Sequence, residues 1–286
     1  MKNGRASVEF ILFSLFLLFL FLLSFSNLPP FHLMAIIFGL IIFVIALVNT
    51  DLALIILIFS MLLSPEINVG GVPGRSVVIR IDDLFLIMVF LGWMAKMSLN
   101  KELGLLKSSA LNIPITIYIV ITMVATYFGY LGGFVKLKHS FFYILKYFEY
   151  FLLFFMVANN LRDIKQIKRF VTYMLFVCFI VSVYGIAQRM MGVMRITAPF
   201  EGMSGEANTL AGYLLLMMAV SIGIFLRSEK FGERLSILVL NLFASLAFLF
   251  TLSRGAWIAF VPMFITLIVL SKKNKPMLIG ILLLLV

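Results

Sequence analysis

Phe170-Val171-Thr172-Tyr173-Met174-Leu175-Phe176-Val177-Cys178-Phe179-Ile180-Val181-Ser182-Val183-Tyr184-Gly185-Ile186-Ala187-Gln188 runs without a charged side chain, between Lys165, Lys168 and Arg169 on one side and Arg189 on the other. A helix of about 17–25 apolar residues crosses the hydrocarbon core of a bilayer. With no water there, backbone polar groups must pair within the segment, so such a run reads as a helix. Working outward, comparable runs lie at about 9–26, 32–49, 52–64, 83–98, 113–131, 140–158, 208–226, 235–252, 255–271 and 277–286. The expectation is an all-α, polytopic transmembrane helical bundle of about eleven spans, forming a single transmembrane domain over 1–286.

Composition agrees. Of the 286 residues, 63% are hydrophobic and 12% charged, and the mean hydropathy is +1.17. A soluble domain carries about 25% charged residues, so the lipid bilayer is the first partner. The net charge of +11 is broken into short clusters between apolar runs. That spacing provides no continuous basic face, and no nucleic acid is expected as partner. Cys178 stands alone, and His32 and His139 lie far apart, so no disulfide framework or metal-ligand motif is present. No cofactor is expected.

Basic residues concentrate in cytoplasmic loops. With the N-terminus cytoplasmic, 15 of the 23 Lys and Arg fall inside, seven fall outside, and Lys146 lies within a span. The inside groups are Lys2 and Arg5; Lys96, Lys101 and Lys107; Arg162, Lys165, Lys168 and Arg169; Arg227, Lys230 and Arg234; and Lys272, Lys273 and Lys275. The apolar part of the first run exceeds the roughly 7–15 residues of a signal-peptide core, so it reads as a retained span. Asp82 and Asp83 suit the N-terminus of the fourth span. Pro114 fits the start of the fifth, Gly132-Gly133 its end, and Pro262 an interruption in the tenth.

The outside cations are Arg75, Arg80, Lys136, Lys138, Arg189, Arg195 and Arg254. The first four read as anchors at lipid phosphates. Arg189, Arg195 and Arg254 adjoin span ends that also carry Gln188, Asn208 and Ser253, a richer polar set than anchoring needs. Their planar forks suit the oxygens of a diphosphate. Glu206 shares this region. Lys146 and Glu149, three apart in the sixth span, share a helix face. They read either as an ion pair that orients packing or as a wall of a substrate cavity. Gly202, Gly205 and Gly212 suit tight turns and close helix approach.

These features together resemble the O-antigen ligase and O-antigen polymerase superfamily of bacterial envelope proteins. The resemblance rests on Ile81-Asp82-Asp83-Leu84-Phe85 with Leu91-Gly92-Trp93, on Leu145-Lys146-Tyr147-Phe148-Glu149-Tyr150-Phe151 with Ala158-Asn159-Asn160-Leu161-Arg162, and on Gly185-Ile186-Ala187-Gln188-Arg189. It continues through Arg195-Ile196-Thr197, Gly205-Glu206-Ala207-Asn208 and Thr251-Leu252-Ser253-Arg254-Gly255, covering roughly residues 50–271. Ala207 stands where many members have proline.

The resemblance implies transfer of a glycan from a polyprenyl-diphosphate carrier to a hydroxyl of lipid A-core, another glycan or a protein. That transfer would occur at the outer face of the bacterial cytoplasmic (inner) membrane, without a metal. It implies diphosphate binding by Arg189, Arg195 and Arg254, with Lys146, Glu149, Glu206, Asn208 and Ser253 lining the cavity. The family's general base comes from a long external loop beyond these spans. The end at Val286, inside an apolar run, therefore reads as the N-terminal portion of a longer protein or as a degenerate member, and no catalytic residue is assigned. The alternatives are a transporter or flippase for a lipid-linked or anionic solute, and a non-catalytic membrane scaffold.

Overall fold

The computed structural model describes residues 30–72, 75–99, 109–135, 137–201, 206–271, 275–276 and 279–280. The first predicted span, 9–26, and all but two residues of the eleventh lie outside them. The other nine apolar runs coincide with helices, as their need for internal backbone pairing requires. They are α1 (Pro30–Val48), α2 (Thr50–Leu63), α3 (Ile81–Leu99), α4 (Asn112–Leu131), α5 (Leu137–Asn160), α6 (Ile164–Met190), α7 (Ala207–Arg227), α8 (Phe231–Phe250) and α9 (Arg254–Leu270). By length and composition, α4, α6, α7 and α8 are able to cross a membrane. The connection between the predicted spans at 52–64 and 83–98 holds a two-stranded sheet, β1 (Glu66–Val72) and β2 (Arg75–Arg80).

The chain divides into two compact units. One takes the described residues up to Leu57 and Ile67–Asp163; the other takes Ile58–Glu66 and the described residues from Ile164 onward.

In the first unit α1 lies tightly on α3, and the reason is Gly92. A Cβ there would fall 2.6 Å from the Phe43 carbonyl oxygen and 2.7 Å from Ala46 Cβ, so only glycine permits this approach. Ala46 and Val89 are fully buried beside it. Lys96 Nζ donates to the Val48 carbonyl oxygen (3.2 Å) and to Thr50 Oγ1 (3.3 Å), placing a cation at the negative end of α1. Helix α5 packs against both α3 and α4. Helix α4 has no buried residue. It meets α5 through Tyr118, whose ring lies edge-on to Tyr147 (5.5 Å) and Phe151 (5.8 Å). The predicted stop at Gly132-Gly133 is a left-handed cap: Gly133 has φ +72°, the Phe134 N–H donates to the Gly129 carbonyl, and the Gly133 N–H donates to that of Tyr130.

In the second unit α8 packs against α6 and α7, and α9 packs against α7. Val177, Val181, Leu210, Leu214, Ala244 and Ala247 are fully buried at the centre. Polar groups within this packing are satisfied: Ser221 Oγ on α7 donates to Asn241 Oδ1 on α8 at 2.9 Å. Helix α6 ends in the same kind of cap as α4, with Gly192 at φ +91° and the Val193 N–H donating to the Gln188 carbonyl. The α6–α7 loop then turns back into the core. Ile196 is fully buried, and its side chain lies where a Cβ on Gly185 would come within 2.6 Å of Ile196 Cδ1.

Candidate functional site

A polar region of the second unit lies at the turn from α8 to α9, residues 250–254, and the loop that leans on it. Burial of Ile196 brings its N–H to the Phe250 carbonyl (3.3 Å), which fixes Arg195 at the end of α8. Arg195 Nε donates to the Thr251 carbonyl (3.0 Å), and its Nη2 donates to Asn208 Oδ1 (2.6 Å). A cation on the last carbonyls of a helix is well placed against the dipole. Ser253 Oγ donates to the same Asn208 Oδ1 (2.8 Å) and accepts from the Ala256 N–H (3.4 Å), so it caps α9. Two donors converge on Oδ1, and among the described residues the Asn208 amide NH₂ has no hydrogen-bond partner.

Arg189 Nη1 donates to the carbonyls of Val193 (3.4 Å) and Met194 (3.2 Å), and its guanidinium lies over the Phe250 ring, 5.6 Å from the centroid. Gln188 Oε1 accepts from the Thr197 N–H (3.1 Å). Glu201 Oε2 accepts from the N–H groups of Ala198 (3.2 Å) and Glu206 (3.1 Å), closing the loop on itself. Glu206 precedes α7, and its Oε2 accepts from Thr209 Oγ1 (2.7 Å). Arg254, the first residue of α9, is exposed, and among the described residues its guanidinium has no hydrogen bond or ion pair. Thr251 and Ser253 flank Leu252, which has φ +50°, an unusual backbone for a non-glycine residue.

Arg195, Asn208 and Ser253 are thus joined at this turn, with the Arg189 guanidinium over the Phe250 ring and Arg254 following Ser253 in the chain. The Asn208–Ser253 bond ties the N-terminal ends of α7 and α9 together. Both ends carry partial positive charge, and among the described residues none of the three arginines pairs with a carboxylate. The arrangement offers donors and uncompensated charge to an anion with several oxygens. Gly202 and Gly205 lie outside the described residues.

Lys146 and Glu149 belong to the first unit and to a different cluster. Glu149 is buried and Lys146 is partly buried, at 3.6 Å from it. The closer partner of Lys146 is the buried Asp83 at the start of α3. Asp83 Oδ2 also accepts from the Arg80 N–H at 2.9 Å, fulfilling its expected capping role. Arg80 Nε pairs with Asp82 at 3.2 Å. The Asp83–Lys146 contact has no signal in the sequence, because its partners are 63 positions apart. The Thr251 carbonyl and the Phe250 ring were likewise unreadable as partners of the arginines.

No protein-family model, curated protein or solved structure matches the chain.

Proposed function

We propose that this chain belongs to a glycosyl-transferring membrane protein of the O-antigen ligase or polymerase type. In this reading it lies in the bacterial cytoplasmic membrane with about eleven spans and a cytoplasmic N-terminus. Arg189, Arg195 and Arg254 hold the diphosphate of a polyprenyl-diphosphate-linked glycan at the outer face. Asn208 and Ser253 form the wall, and Glu206 stands at the rim. The acceptor hydroxyl of a glycan, lipid A-core or protein bonds to the sugar carbon as the bond from that carbon to the diphosphate oxygen breaks. The hydroxyl proton passes to a base, and negative charge develops on the departing diphosphate. Fixed, uncompensated cations stabilise that charge most.

The observation that carries this reading is the shared Asn208 Oδ1, which receives both Arg195 and Ser253 and so joins two helix N-termini beside the exposed Arg254. The test is transfer from a polyprenyl-diphosphate glycan by the full-length protein in vesicles. Arg254→Ala is expected to abolish transfer with normal membrane insertion, and Arg254→Lys to restore little, because lysine lacks the bidentate fork. Normal transfer by Arg254→Ala overturns the reading. Sidedness is tested by labelling single cysteines from outside. Met194→Cys, at a position 77% exposed, is expected to react and Lys165→Cys to stay unlabelled.

The Asp83–Lys146–Glu149 group, with both carboxylates buried, favours a second reading, a transporter or flippase, since intramembrane charges commonly mark solute paths. Acceptor-independent movement of a lipid-linked glycan across vesicles would select it.

A further inference from the structure

The end of the second unit away from the Asn208–Ser253 contact carries another concentration of charge. Lys165, Lys168 and Arg169 lie in the first turns of α6, Arg227 closes α7, and Lys230 and Arg234 stand at the start of α8; all six are exposed. Glu229 and Glu233 are the carboxylates within 164–170 and 227–234. Packing of α8 against both α6 and α7 brings these stretches to one end of the unit. Glu233 accepts from Ser228 Oγ (2.7 Å), lies 3.6 Å from Lys230 Nζ, and is also in the field of Lys168. The Arg234 guanidinium lies over the Phe225 ring at 4.8 Å. Glu233 is thus shared between cations, and over 162–170 and 227–234 seven cations stand against the three carboxylates Asp163, Glu229 and Glu233, so the patch stays positive.

Local helix energetics do not account for the charge, because cations at the N-terminal ends of α6 and α8 oppose the helix dipole. The surrounding surface is apolar: Phe231 is 81% exposed, Ile164 69% and Leu235 50%. Helix α6 has 27 residues, about 40 Å at 1.5 Å per residue, against a hydrocarbon core of about 30 Å. A helix of that length across such a core would bring its basic end to headgroup level, with the bulky apolar side chains of Ile164 and Phe231 beside it.

We propose that this patch binds an anionic phospholipid, with the phosphodiester among Lys165, Lys168 and Lys230 and the acyl chains along Ile164 and Phe231. Charge complementarity selects the headgroup, and the exposed apolar side chains favour a lipid over a soluble anion. The proposal depends neither on glycan transfer nor on which leaflet the patch faces.

The test uses the purified chain in neutral detergent, with bound lipid counted by native mass spectrometry and stability read from the unfolding midpoint. Phosphatidylglycerol is expected to stay bound and raise the midpoint; phosphatidylcholine, or inorganic phosphate alone, is expected to do neither. Each cation near an anionic lipid surface contributes roughly a fivefold factor. Lys165→Ser/Lys168→Ser/Lys230→Ser should therefore weaken phosphatidylglycerol binding by about tenfold or more. Loss of basic residues can disturb membrane insertion, so a second variant retains them all: Glu229→Gln/Glu233→Gln should bind phosphatidylglycerol more tightly than wild type. Raising salt from 0.1 to 1 M, which shortens the screening length from about 10 to about 3 Å, should release the lipid. Equal retention of phosphatidylcholine, an equal midpoint shift from inorganic phosphate, or unaltered binding by either variant overturns the proposal.

Discussion

The Lys146 cluster and the Arg195 cluster both hold cations in a hydrophobic protein, but they do so by opposite means. Lys146 lies between two buried carboxylates, Asp83 and Glu149, on helices α3 and α5. Its charge is spent inside the cluster, whose work is to hold α3 against α5. Arg195 and Arg189 are held by neutral oxygens and a ring: the Thr251, Val193 and Met194 carbonyls, Asn208 Oδ1 and Phe250. Neutral partners fix a guanidinium without cancelling its charge, which stays available to something outside the fold. The difference separates a cation balanced by carboxylates from one held by neutral groups, and the partners distinguish the two where residue type alone does not.

The strongest way to break this contrast is Lys146→Met. It leaves Asp83 and Glu149 buried without their cation, and loss of one member of a buried ionic group costs about 3–5 kcal/mol. A large fall in the unfolding midpoint in detergent is expected; a variant as stable as wild type would remove the structural assignment. Gly185→Leu comes next. Its side chain occupies the place of Ile196, and overpacking of this kind costs about 1–3 kcal/mol. The displaced loop carries Arg195 off the Thr251 carbonyl, so binding of a diphosphate analogue should fall together with stability. Ser253→Ala removes the cap of α9 and one of the two donors to Asn208, at a cost of about 1 kcal/mol. The smallest effect on stability is expected for Arg254→Ala, which should leave the unfolding midpoint unmoved while diphosphate-analogue binding, followed by titration calorimetry, is lost. A destabilised Arg254→Ala with intact binding would reverse the contrast at its sharpest point.

The helices were legible because an apolar run in lipid has to pair its own backbone, and Gly132-Gly133 as a stop because left-handed caps favour glycine. Boundaries were less so. The apolar run at 170–188 belongs to a helix over Ile164–Met190, since backbone pairing does not end where hydropathy does. The strands at 66–80 do not show in hydropathy, although Pro73-Gly74 separates two segments and the second holds Val77, Val78 and Ile79. Turn residues before a β-branched run are a recognised hairpin signal, here overshadowed by the greasy segments on either side. Of the candidate residues, Arg195, Asn208 and Ser253, which stand beside span ends in the sequence, are the three that contact one another. The sequence could not indicate that Lys146 answers first to Asp83, a contact set by the packing of α3 on α5.

The left-handed backbone at Leu252 also has a mechanical consequence. For an L-residue that conformational basin is small, and Leu252 is flanked by buried Thr251 and Ser253. The corner between α8 and α9 therefore has little room to flex, and the Asn208–Ser253 bond couples any tilt of the first turn of α9 to α7. Bending is left to Pro262 within α9, where the ring removes a backbone donor. A force on the far half of α9 would be absorbed there, leaving the corner that bears Arg254 in register with α7.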